Sequence, residues 1–231
     1  MSSSAGDRPL SIGPVQCGTL LARDADAVAQ VYREWLDLVL VDDGPLPAAL
    51  AAAWGKPALA GARLLVLGAD AADASTHWLR VIEWPQAAAP QPMQHSGWLA
   101  LEVLVSDVCA LGQRLVDGQR ARWAQHFERA VDEPLAVNDN IWAMQVAGPA
   151  GETLYLTEVR APVPPFELPP PAKFTAERLF IPVLSARDHA AAMAFYEQLA
   201  GQKGMRFDTR VSALNAALGI QSPSTRMVPV G

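Results

Sequence analysis

Leu20-Leu21-Ala22-Arg23-Asp24 is followed by Tyr32, eight residues after the Asp, and the phrase returns as Leu184-Ser185-Ala186-Arg187-Asp188 with Tyr196 eight residues after its Asp. Both copies run from an apolar, strand-like stretch into a helix. A short strand and an Ala/Leu-rich helix follow, the helix ending in Trp54-Gly55 or Leu218-Gly219, and each copy closes on an apolar run ending in Gly, residues 64–68 and 227–231. A repeated supersecondary unit dictates architecture, so it is read before anything else.

A weaker third copy lies between the two. Residues 99–107 form an apolar strand reaching Ser106 and Asp107, and residues 108–115 continue at helical spacing, with Leu111 and Leu115 four apart. Ser106 or Asp107 is expected to cap that helix, because a short oxygen-bearing side chain there accepts an otherwise unpaired backbone N–H. The chain is therefore expected to be α+β, built from strand-helix-strands units.

The 231 residues are 51% hydrophobic, enough to bury a proper core. A net charge of −6 with no long basic run argues against nucleic acid as the partner. No apolar stretch approaches the roughly 18 to 20 residues of a membrane span, and the polar start with Asp7-Arg8 lacks the apolar core of a secretion signal. The expectation is a cytoplasmic protein with no membrane partner. Cys17 in a strand and Cys109 in a helix make no disulfide framework and are read as reduced.

Six prolines between residues 161 and 177 remove backbone donors and favour extended chain, which reads as a semi-rigid linker. The expected organisation is a tail over 1–14, two units over 15–160, the linker over 161–177 and a partial third unit over 178–231. That last stretch stops where the first unit goes on to the strand at 77–84. The expectation is either a piece of a longer protein or a partner chain, in the simplest case a homodimer, that completes the sheet.

The order of these motifs resembles the vicinal oxygen chelate superfamily, which includes glyoxalase I, extradiol dioxygenases and the bleomycin- and fosfomycin-resistance proteins. The resemblance is carried by Leu21 to Asp24 with Tyr32, by Val103 to Asp107, by Gly148-Pro149-Ala150-Gly151-Glu152-Thr153-Leu154-Tyr155, and by Val183 to Asp188 with Phe195-Tyr196. It implies paired βαβββ units whose sheets curl around a cavity, with a partial third unit. It also implies a divalent metal held by His, Gln or Glu on inner strand positions. Here those positions hold Cys17, Arg80, Ala100 and Tyr155, with Ile181 in the third unit. Alanine offers no donor atom and arginine is a fixed cation, so no metal and no other cofactor is expected. The metal-free members are binding proteins, and the resemblance then implies capture of a hydrophobic, anionic or aromatic small molecule.

If the family register holds, strand alternation turns Cys17, Thr19 and Leu21, then Trp78, Arg80, Ile82 and Trp84, then Trp98, Ala100 and Glu102, then Thr153, Tyr155 and Thr157 inward. The candidate ligand-binding residues are Arg80, Glu102, Tyr155, Trp78, Trp98 and Cys17. Arg80 would fix an anionic group, and Glu102 would act as a base or hold the arginine. Each has a structural alternative: tryptophans fill cores or interfaces, Arg80 and Glu102 pair with each other, Tyr155 is a satisfied core phenol, and Cys17 is inert because no His or helix N-terminus activates it. Tyr32 with Trp35, and Phe195 with Tyr196, read as helix residues packing on the sheet. The Ala-rich helix over 47–54 is placed to cap the cavity mouth. Two other functional classes stay open: a metal-dependent lyase or dioxygenase using displaced ligands among His77, His95, Glu83 and Glu102, and a silent assembly module.

Overall fold

The computed structural model describes residues 13–88, 91–92, 95–117, 134–200, 207–209 and 225–227. The first unit comprises β1 (Gly18–Ala22), α1 (Ala25–Leu36), β2 (Val39–Pro45), α2 (Ala48–Ala53), β3 (Arg63–Gly68) and β4 (Leu79–Glu83). Its sheet runs in the order β1-β4-β3-β2, with β1 parallel to β4 and the other pairs antiparallel. The second unit repeats the arrangement with β5 (Gly97–Val105), α3 (Val108–Asp117), β6 (Leu135–Asn138), β7 (Ile141–Ala147) and β8 (Thr153–Val159), and again the first strand lies parallel to the fourth. The expected α+β fold of paired βαβββ units is the observed one.

The Asp of each repeat has one local job. Asp24 accepts the Ala27 N–H at 2.8 Å, Asp107 accepts that of Ala110 at 2.8 Å, and Asp188 accepts that of Ala191 at 2.9 Å. A carboxylate at this place satisfies an orphan donor and complements the helix dipole, so the strand turns into a helix at the same point each time. Of the two caps proposed for α3, the bond to Ala110 is made by Asp107. In α1 the buried positions Ala25, Val28, Ala29, Tyr32 and Leu36 form the stripe that a helix lays on a sheet.

The third copy starts with a strand and a helix. Its strand β9 (Ala176–Ser185) joins the second sheet, antiparallel to β5, giving the order β6-β7-β8-β5-β9; it is followed by α4 (His189–Ala200). Ala176 and Glu177, assigned above to the linker, are thus strand. β10 (Phe207–Thr209) and β11 (Thr225–Met227) pair antiparallel, and among the described residues they bond to no other strand. The helix end at Leu218-Gly219 and the close of the run after Met227 lie outside the described residues.

A single core joins the units through their helix-bearing faces. Leu65, Leu67, Leu79 and Val81 of the first sheet share one cluster with Val103, Val105, Leu154 and Leu156 of the second, together with apolar residues of α1 and α3. On the opposite face of the first sheet, Leu64 and Ile82 pack with Ala51 of α2, Leu46 and Leu59, with Trp54, Val66 and Trp84 at the margin. The alanine run forms a helix readily, and Gly55 ends it at φ 65°, a left-handed conformation in which a side chain would be strained. No helix among the described residues is long and apolar enough to cross a membrane.

Candidate functional site

Arg80 sits in β4 directly beside Thr19 of β1, on the face away from the shared core. It is half-buried, and its guanidinium carbon lies 6.0 Å from the centre of the Trp54 ring, which α2 delivers to this face. Among the described residues it has no carboxylate partner. Cys17 feels its charge: the thiol is pushed up by burial, with the charge of Arg80 opposing that rise. Its Sγ donates to the carbonyl of Gly18 at 3.4 Å. A thiol held protonated is a poor nucleophile, which agrees with the inert reading of Cys17.

Glu102 and Tyr155 belong to the second sheet, where the parallel pairing of β5 and β8 sets them side by side. The hydroxyl of Thr157 donates to Glu102 Oε1 at 2.7 Å. Burial pushes the Glu102 carboxyl up to about 7, against the opposing effect of that hydrogen bond. Burial, and secondarily the neighbouring Glu102 charge, push the Tyr155 phenol above its ordinary range. Thr153, on the same face, is 2% exposed and its hydroxyl has no partner among the described residues. Glu102 is therefore a carboxyl that exchanges its proton near neutrality, set among hydroxyls.

The six expected site residues do not converge. Cys17 and Arg80 stand together on the first unit, and Glu102 and Tyr155 on the second; no hydrogen bond, ion pair or ring contact among the described residues joins the two sets. The structural alternative in which Arg80 pairs with Glu102 is likewise not realised. The reason is tertiary: the sheets share a core on the opposite faces, so inward alternation in each does not create one common pocket.

The tryptophans separate further. Trp78 is fully buried, stacks edge-on to Tyr32 at 6.0 Å and donates its indole N–H to the Ala176 carbonyl at 3.3 Å. It precedes β4, which begins at Leu79, so strand alternation does not govern it and it is core rather than pocket wall. Trp98 is 57% exposed and meets Tyr196 of α4 edge-on at 6.3 Å. Trp54 and Thr157 are the neighbours that sequence reading left without a role. Thr157 follows Tyr155 by two in a strand, which placed it on the right face, whereas nothing local marks Trp54 as the ring above Arg80.

A divalent metal, which the resemblance implies, does not fit this donor set. Cys17 and Arg80 lie on one unit, and Ala100 and Tyr155 on the other; together they offer one protonated thiol, one phenol, a cation and a methyl group. The displaced candidates are scattered. His77 Nε2 lies 3.0 Å from the Asp70 carbonyl, His95 Nε2 lies 3.0 Å from that of Trp98, Glu83 stands 3.9 Å from Arg63, and Glu102 holds Thr157. Among the described residues no three His, Cys, Asp or Glu side chains gather.

Against known proteins, no family model matches the chain and no curated sequence does. Solved structures do. Glyoxalase I from Zea mays superposes with a TM-score of 0.52 at 14% identity, covering 85% of this chain and 58% of its own. The chain has the glyoxalase fold. A glyoxalase family protein from Bacillus cereus covers 68% of this chain and 99% of its own at 16% identity and a TM-score of 0.45. A glyoxylase/bleomycin resistance protein/dioxygenase domain from Frankia sp. covers 66% and 96% at 14% identity and a TM-score of 0.46. At 14% identity to the maize protein the fold is shared and the chemistry is not thereby transferred.

Proposed function

We propose that this protein binds a hydrophobic, anionic small molecule of the aromatic-acid kind, without a metal, on the first sheet between Arg80, Trp54 and Cys17. The observation that carries the proposal is a half-buried guanidinium lying over an indole ring with no carboxylate partner among the described residues. Withdrawing a cation from water costs free energy unless something compensates it, and an indole face compensates only in part. A ligand carboxylate would complete the pairing through two parallel N–H···O bonds while its ring packs against Trp54. A guanidinium holds an anion as a metal does but generates no bound hydroxide, so the reading is one of binding.

The test is calorimetric titration and thermal shift with benzoate-, naphthoate- and indole-type carboxylates on the native protein, Arg80→Met and Arg80→Lys. The Met variant is expected to keep its fold and lose about 10- to 100-fold in affinity, the range of a charge-assisted hydrogen bond. The Lys variant, a point charge without the planar fork, should fall between. Equal affinity in a folded Met variant, or no acid that shifts the native melting temperature, would count against the proposal.

A further inference from the structure

The face of the first sheet that carries Arg80 is partly roofed by the sheet's own chain. Residues 46–62 leave β2 and return to β3, and backbone bonds close the neck of this excursion, from the Leu46 N–H to the Ala62 carbonyl at 2.8 Å and from the Gly61 N–H to the Leu46 carbonyl at 2.9 Å. The excursion packs Ala51 and Leu59 with Leu64 and Ile82, all of them buried. Trp54 stands at the margin of this roof, beside Arg80.

The next row across the sheet is left open. It runs from Thr19 of β1 through Arg80 of β4 and Val66 of β3 to Asp42 of β2, each paired with the one before it. Paired residues put their side chains on one face, so a hydroxyl, a cation, an apolar patch and a carboxylate follow one another. Thr19 and Asp42 are exposed, while Arg80 and Val66 are half-buried. Strands lie about 4.8 Å apart, which sets the backbones at Arg80 and Asp42 roughly 10 Å apart with Val66 between them. Asp43 belongs to the other face, where it pairs with Arg63. Asp42 Oδ1 accepts the Asp43 N–H at 3.0 Å, and its Oδ2 has no partner among the described residues. The row thus holds a cation and an anion on one face that do not pair with each other.

We infer that this row recognises a zwitterion, so that the ligand is an aromatic acid with an ammonium group beside its carboxylate, as in an aromatic α-amino acid. The inference rests on the Arg80 reading and adds Asp42 as the residue that sets specificity. The carboxylate takes the Arg80 guanidinium, flanked by the Thr19 hydroxyl, and the ammonium takes Asp42 across Val66. Two charge-assisted bonds of about 2.8 Å, with the ligand's one carbon between its charged groups, span a gap of this size. The ring then packs against Trp54 at the margin of the roof. An acid of the same shape without the ammonium leaves Asp42 as an unanswered negative charge beside its carboxylate, so the row disfavours plain acids.

Calorimetric titration with matched pairs tests this on the full chain: phenylalanine against phenylpropionate, and tryptophan against indolepropionate, with the native protein and Asp42→Asn. The native protein is expected to bind each amino acid roughly 2- to 5-fold more tightly than its plain acid, the range of an ion pair at an exposed carboxylate. Asparagine keeps an oxygen for the Asp43 N–H, so the variant is expected to fold. It should lose the preference, with its affinity for the plain acids equal to or above the native one. A native protein that binds the plain acids as tightly as the amino acids overturns the inference and leaves the Arg80 reading standing. An Asp42→Asn variant that keeps the preference has the same consequence. If neither class binds, or if Arg80→Met binds both as the native protein does, the Arg80 reading falls and this inference falls with it.

Discussion

The hydroxyl of Tyr32 donates to Glu152 Oε1 at 2.5 Å, tying the helix of the first unit to the closing turn of the second inside the common core. Glu152 also takes the Ala150 N–H at 2.8 Å, and its carboxyl lies where a side chain at Gly148 would stand. Burial pushes this carboxyl up, while the bonds from Tyr32 and the turn backbone pull the other way. Tyr32 and the Gly-Pro-Ala-Gly-Glu turn thus serve one contact between units.

Tyr32→Phe removes the donor and leaves a buried carboxyl short of a partner, so it should lower unfolding stability by about 1 to 3 kcal/mol in urea titration. Gly148→Ala should displace the same carboxyl, and the two changes should therefore be less than additive in a double-mutant cycle. Strict additivity would mean that they act through different groups.

What the sequence made legible was local. The Asp caps at 24, 107 and 188 follow from a short side chain before an amphipathic run. Period-two alternation put Thr19 and Arg80 on inward faces, and the pairing of β1 with β4 sets them side by side. What was not legible depended on which surfaces meet. Trp78 lies one residue outside its strand, so its core position turns on a boundary that alternation does not fix. That β9 joins β5 and that the sheets share a core on their helix faces are facts of tertiary packing, and they separate Arg80 from Glu102.

The donor set at the four inner strand positions leads to a second expectation. Added Mn, Fe, Ni or Zn should leave the melting temperature of the purified protein unchanged, because a ligand that binds only the native state would raise it. Elemental analysis should find no stoichiometric divalent metal. One equivalent of metal retained after dialysis, or a metal-dependent rise in melting temperature, would sink this expectation.

Glu102 sets a dependence on pH whose direction follows from its environment. Its folded value near 7 stands above the ordinary 4.5, so the protonated carboxyl suits the fold better than the carboxylate does. The stability it contributes is full below 4.5 and is lost as pH rises through about 7, a difference worth roughly 3 kcal/mol for a shift of this size. Glu152 acts in the same direction. Asp37, held below its ordinary 3.8 by the Arg114 guanidinium, acts in the opposite one, and its contribution is lost as the pH falls through its lowered value. Stability should therefore peak in the weakly acidic range. Glu102→Gln keeps a carbonyl to accept from Thr157 but cannot ionise, so the variant should match the native protein at pH 5 and exceed it by about 1 to 3 kcal/mol at pH 8. Because Glu152 remains, the variant should flatten the pH curve without levelling it. Urea titrations at both pH values check this, and a variant that loses stability in parallel with the native protein across the range would show that Glu102 is ionised in the fold at neutral pH.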